Sequence, residues 1–123
     1  MAVTGIGGLF FRSGDPEALG EWYRTYLGVG APDGVFVWHQ QAGPTVFQPF
    51  RADSDYFPAE KQTMLNLRVD DLDGLIASLV AAGIAVITKP EWDAMPEVGR
   101  FARIHDPDGN PVELWEPAAP QGS

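Results

Sequence analysis

Few residues in this chain have side chains suited to chemistry, and their types narrow what it can do. There is no cysteine and there are two histidines, His39 and His105, so thiol nucleophiles, zinc–thiolate centres and disulfides are excluded. Glu113 is the sharpest candidate. It stands between Val112 and Leu114 in an alternating stretch, so its carboxylate points away from two apolar side chains. That placement is costly unless the face is wet or carries a cation. A carboxylate so placed suits a general base or a metal ligand. His105 shares its predicted face with Phe101 and Arg103, and His39 lies near the end of a second predicted strand. Either histidine would serve as a base or a replacement ligand, or simply as a rim residue.

Arg12, Arg68 and Arg103 fall on positions predicted to face the same groove. Converging guanidiniums bind a carboxylate or a phosphate well; the plainer alternative is that one of them pairs with Glu113. Phe10, Phe50, Phe101 and Trp115 share this predicted face, with Met64 beside them and with Gln48 and Asn66 as polar anchors. An aromatic-lined groove of this kind suits a planar, partly apolar small molecule. Trp38, Tyr56 and Trp92 sit in or beside predicted loops, where they would form a lid or a dimer contact.

The elements that must position these residues can be read from periodicity. Residues 99–115 spell a β-hairpin: an alternating strand to His105, a turn built on Pro107, Gly109 and Asn110, and a returning strand to Trp115. Upstream, residues 4–12 alternate as a strand. Asp15, Pro16 and Glu17 then start a helix carrying Leu19, Trp22, Tyr23, Tyr26 and Leu27 and stopping at Gly28. Strands are predicted over 35–40 and 45–50, joined by Ala42-Gly43-Pro44, and a polar linker over 51–62.

The pattern then restarts. Residues 64–69 read as a strand, and Asp70 or Asp71 caps a helix carrying Leu72, Leu75, Ile76, Leu79 and Val80 and ending at Gly83. A short strand over 84–88, a loop over 89–98 and the hairpin complete the second half. Sliding Gly8–Arg12 onto Met64–Arg68 superposes Leu9 on Leu65, Phe11 on Leu67, Arg12 on Arg68 and Asp15 on Asp71. The expected architecture is one α+β domain of two βαβββ modules, about 4–50 and 63–116, with a tail over 117–123. They would form a curved, half-barrel sheet whose helices lie on the outer face and whose other face is a groove.

The bulk composition agrees with a soluble globular domain. A length of 123 residues allows one real core, and a net charge of −9 argues against nucleic acid, which needs a basic face. No apolar run reaches the roughly 20 residues of a membrane span. A cytoplasmic location is expected.

The internal repeat and the Asp106-Pro107-Asp108-Gly109-Asn110-Pro111-Val112-Glu113-Leu114 hairpin together resemble the vicinal oxygen chelate superfamily, which contains glyoxalase I, bleomycin-resistance proteins and extradiol dioxygenases. The resemblance spans nearly the whole chain. In metal-dependent members the ligands come from four strand positions, which correspond by position to Gly8, Gln48, Met64 and Glu113. Of these only Glu113 is an ordinary ligand for a divalent metal. The resemblance therefore implies the fold without the usual metal, and no cofactor is expected. The reading that follows is a metal-independent small-molecule-binding protein, a homodimer as the bleomycin-resistance members are, holding its ligand in the aromatic groove. The alternative is a glyoxalase-like lyase or isomerase with Glu113 as general base, with or without a metal recruited through His39 or His105. A third reading makes the groove a dimer-packing surface.

Overall fold

In the computed structural model, which describes residues 2–30 and 37–119, six regular segments follow one another along the chain. They are helix α1 (Pro16–Leu27), strand β1 (Leu65–Arg68), helix α2 (Leu72–Ala81), a 3-10 helix at Pro90–Asp93, and strands β2 (Gly99–His105) and β3 (Pro111–Pro117). Both helices begin where their capping residues say they should. The Asp15 carboxylate accepts from the Ala18 N–H at 3.1 Å, with Pro16 in the first turn, and the Asp71 carboxylate accepts from the Gly74 N–H at 3.0 Å. A second orphan donor at the start of α2, the Leu72 N–H, is taken by Glu116 from β3 at 2.8 Å. At the far end of α2, Gly83 N–H donates to the Val80 carbonyl and Ile84 N–H to the Leu79 carbonyl. This double closure ends the helix and turns the chain.

The three strands form one open sheet in the order β1-β3-β2, with β1 parallel and β2 antiparallel to the central β3. The strand expected over 84–88 is reduced to a single bridge, in which Ile87 and Arg103 exchange two backbone bonds of 2.8 Å on the outer edge of β2. Side chains alternate as the period of two requires. Ala102 and Ile104 of β2 and Val112 and Leu114 of β3 point to one face, where they meet Leu19 and Tyr23 of α1 and Leu72 and Leu79 of α2. Leu65 and Leu67 pack against the same cluster. Each large side chain buried there contributes roughly 1.5–3 kcal/mol. The fold is thus a small α+β arrangement with both helices on one side of the sheet and the other side left for the site.

The hairpin turn is held by a residue that the turn signature alone did not single out. Asp106 is buried, and its carboxylate accepts four hydrogen bonds: from the N–H groups of Asp108 and Asn110, from the Asn110 side chain, and from the Tyr23 hydroxyl at 2.7 Å. The last of these ties α1 to the hairpin across the chain. Burial and the neighbouring Asp106 carboxylate both raise the Tyr23 hydroxyl pKa above its ordinary value, so the proton stays on the tyrosine.

The first half departs from expectation. Among the described residues no strand forms within 4–12, within 37–40 or within 45–50; positions 35 and 36 and the turn cluster Ala31-Pro32-Asp33-Gly34 lie outside the described residues. A strand exists only through a ladder partner. These segments instead turn apolar side chains outward, with Phe10 94% and Phe47 85% exposed. The expected tail also starts later than its composition suggests, because β3 runs through Pro117 and Ala118 N–H still bonds the Val98 carbonyl.

Candidate functional site

The sheet face opposite the helices carries a row of polar side chains set by register. Asn66 on β1 pairs with Glu113 on β3, and Glu113 pairs with Arg103 on β2; Ile87 bridges to Arg103 beyond it. The next row on this face holds Trp115 and Phe101, whose rings lie nearly parallel with centroids 6.3 Å apart, with the Trp115 indole N–H donating to the Val98 carbonyl at 2.9 Å. Two connecting segments supply the remaining walls. The linker brings Tyr56 and Phe57, and the 3-10 helix brings Trp92.

Glu113 is 7% exposed, and both its oxygens are occupied. Oε1 accepts from the Asn66 side-chain amide at 2.6 Å, and Oε2 accepts from the Tyr56 hydroxyl. The partner expected for this carboxylate was an arginine; the structure gives it a tyrosine and an asparagine instead. Burial, and then the bond to Glu113, push the Tyr56 hydroxyl up to about 12 from 10.0. The pair is therefore a hydrogen-bonded clamp that keeps its proton at neutral pH.

Arg103, released from Glu113, turns toward the linker. Its Nη2 donates to the Tyr56 carbonyl at 3.0 Å, and its guanidinium carbon lies 5.0 Å from the Tyr56 ring and 5.2 Å from the Trp92 ring. Those two rings meet edge to face at 6.2 Å. Arg103 is 6% exposed, and its Nε–H is buried with no hydrogen-bond partner. Beside this group opens a cleft of about 510 Å³, walled by linker residues that include Tyr56, Phe57 and Pro58, by Ile87, Lys89 and Trp92, and by Arg103 and His105 of β2. The volume is that of a site for a small organic molecule. Glu113 does not line the cleft; Tyr56 joins the two, with its hydroxyl on Glu113 and its ring on the cleft wall.

The expected site residues separate accordingly. Asn66, Phe101, Arg103, Glu113 and Trp115 share the groove face as alternation requires, and His105 lines the cleft. Arg68 does not converge with Arg103: its guanidinium holds the carbonyls of Gln41, at 2.7 Å, and of Pro44. Phe50 sits at the margin, packing against Tyr56 and Phe57 with ring centroids 5.6 Å away in each case. Met64 is half-buried just before β1. Phe10, Arg12, Gln48 and His39 are exposed and line no part of the cleft. Tyr56 and Trp92, expected only as lid or contact residues, are its principal walls. Aromatic side chains standing alone in polar, proline-containing loops were the available signal.

The four positions that carry ligands in metal-dependent relatives do not fit a divalent ion here. Gly8 has no side chain, Gln48 is a neutral donor, Met64 is a soft thioether, and both oxygens of Glu113 are already taken. Among the described residues no three of His, Asp and Glu come together as a metal-holding group. Among them too, no helix is long and apolar enough to cross a membrane.

Comparison with known proteins identifies the family. None of the curated proteins compared matches the chain. Among solved structures, TnmS3, an antibiotic binding protein from Streptomyces sp. CB03234, is 28% identical, with 96% of this chain and 99% of that one covered and a TM-score of 0.57. A member of the glyoxalase/bleomycin resistance protein/dioxygenase superfamily from Sphaerobacter thermophilus DSM 20745 is 19% identical, with 94% and 99% coverage and a TM-score of 0.59, and shares the fold. The family model described as a glyoxalase-like domain matches residues 8–115. The chain belongs to that glyoxalase-like domain family, and through it to the vicinal oxygen chelate superfamily.

Proposed function

We propose that this protein binds a small, partly aromatic molecule without a metal, in the cleft between the linker and the sheet, rather than transforming it. The observation that carries the reading is the state of Glu113. The one conventional ligand or base at the family's metal positions is capped on both oxygens by Tyr56 and Asn66, while the open volume lies against Arg103 and the rings of Tyr56 and Trp92. The likeness to an antibiotic-binding protein over nearly both full chains supports a binding role and a ligand of that kind. The protein would act in the cytoplasm as a homodimer. The exposed apolar segments of the first half would complete the two-module architecture against each other or against a second copy.

The test combines thermal unfolding with metal analysis. Aromatic antibiotics are screened for an increase in Tm, since a ligand at about 100 times its Kd adds about 2.7 kcal/mol to the native state. A domain of this size then gains several degrees. Stabilisation that persists in chelator, in protein purified without a stoichiometric divalent ion, is the expected result. Stabilisation that vanishes with chelator and returns with one metal would overturn the metal-free reading. The glyoxalase-type alternative is tested by turnover of thiohemiacetal and acyl-CoA epimer substrates, which is expected to be absent in both the unaltered protein and Glu113→Gln.

A further inference from the structure

Arg103 is a buried cation with no ion-pair partner among the described residues, although Glu113 is its cross-strand neighbour. Its one hydrogen bond goes to a neutral carbonyl, and its Nε–H has none. A charge taken out of water without a counter-ion is expensive, and a buried donor left unpaired adds to the cost. The two aromatic faces offset part of that cost, because their quadrupoles attract a cation. They leave the Nε–H without an acceptor.

The surroundings continue the pattern. Lys89 places its ammonium 5.4 Å from the same Trp92 ring, and His105 lines the cleft beside Arg103. Two carboxylates also reach this wall, Asp53 and Asp55. Asp53 is already paired with Arg51 at 3.1 Å, which leaves Asp55 as the nearby opposing charge. In a chain of net charge −9, a cleft whose two cations, Arg103 and Lys89, match its two carboxylates in number is locally relieved of the negative excess.

Resting on the small-molecule reading above, we infer that the cleft selects an anionic aromatic ligand, an aryl carboxylate or ionised phenol. Its negative group would meet the Arg103 guanidinium while its ring lies along Trp92 and Tyr56. The anion supplies the missing counter-ion, and a charge-assisted hydrogen bond in a half-enclosed site is stronger than one in open water. The rings that now shield Arg103 then become the walls against which the ligand's own ring packs.

The probe pair is naphthalene carboxylate and its neutral carboxamide, which match in size and shape. Both are titrated into the full chain and followed by quenching of tryptophan fluorescence. The carboxylate is expected to bind about tenfold more tightly, against the repulsion of the acidic surface. Arg103→Gln should abolish the difference between the two probes, so that carboxylate and carboxamide bind that variant with equal affinity. Lys89→Gln, at an exposed position that does not endanger folding, should narrow the difference between the two probes about threefold. Equal binding of the two probes to the unaltered protein would overturn the anion preference and leave a small-molecule cleft standing. Binding of neither would overturn both readings.

Discussion

Tyr56 reaches Glu113 from a polar linker, and the two side chains define what each can do. Removing the hydroxyl leaves one carboxylate oxygen buried without a donor, so Tyr56→Phe should lower unfolding free energy by about 1–3 kcal/mol, measured by urea denaturation. The effect must also depend on pH. A tyrosine held near 12 in the folded chain and near 10.0 when free retains its proton longer in the native state. The stability it contributes is therefore fully present below pH 10 and is lost as pH rises from about 10 to about 12. Over that window the unaltered protein should lose more stability than Tyr56→Phe does. The direction of the Glu113 carboxylate was legible from Val112 and Leu114 on either side. Its partner was not, because 57 residues separate Tyr56 from Glu113 and no local pattern records which loop crosses which strand. Arg103 was legible as groove-facing for the same reason, and its freedom from Glu113 was hidden by the same gap.

At the scale of elements, helix α2 and the hairpin were readable because each announces its own boundary, whereas the strand expected over 84–88 is a single bridge. Asp71 caps α2, Gly83 ends it, and alternation sorts Ala102 and Ile104 from Phe101 and Arg103. The two hairpin glycines show what those boundaries cost to disturb. Gly109 adopts φ +80° in open space, so Gly109→Ala should cost about 1 kcal/mol through backbone strain alone. Gly99, at φ +128°, lies so close to the returning strand that an added Cβ would meet the Glu116 carbonyl oxygen at 2.1 Å. Gly99→Ala should therefore cost at least about 3 kcal/mol, with strain and overlap combined; thermal unfolding of the pair gives the order. In the first half α1 was equally legible from Asp15 and Pro16. The strands around it were not, because alternation specifies which side chains share a face and leaves open which backbone will pair with them.

For the molecule as a whole, a dry apolar cluster lies beneath the helices, and most of the exposed large apolar side chains lie on the first half. Contiguous exposed apolar surface drives association. If the exposed set serves a second copy, Phe10→Ser combined with Phe47→Ser should shift sedimentation toward monomer while leaving the unfolding free energy of the monomer within about 0.5 kcal/mol. A dimer unaffected by both changes would place the interface elsewhere. The dry cluster behaves differently, and Leu114→Ala, at a side chain with no exposure, should cost about 2–5 kcal/mol. That cluster draws α1 onto a sheet made entirely by the second half, and the Tyr23–Asp106 bond fastens it there across 83 residues. The order of synthesis then matters. At about 5–20 residues per second, α1 leaves the ribosome roughly 4–17 s before the hairpin that receives it, and during that interval its aromatic face has no seat. The nascent chain must carry an unclosed helix until its last strands emerge, so the core closes in one late step.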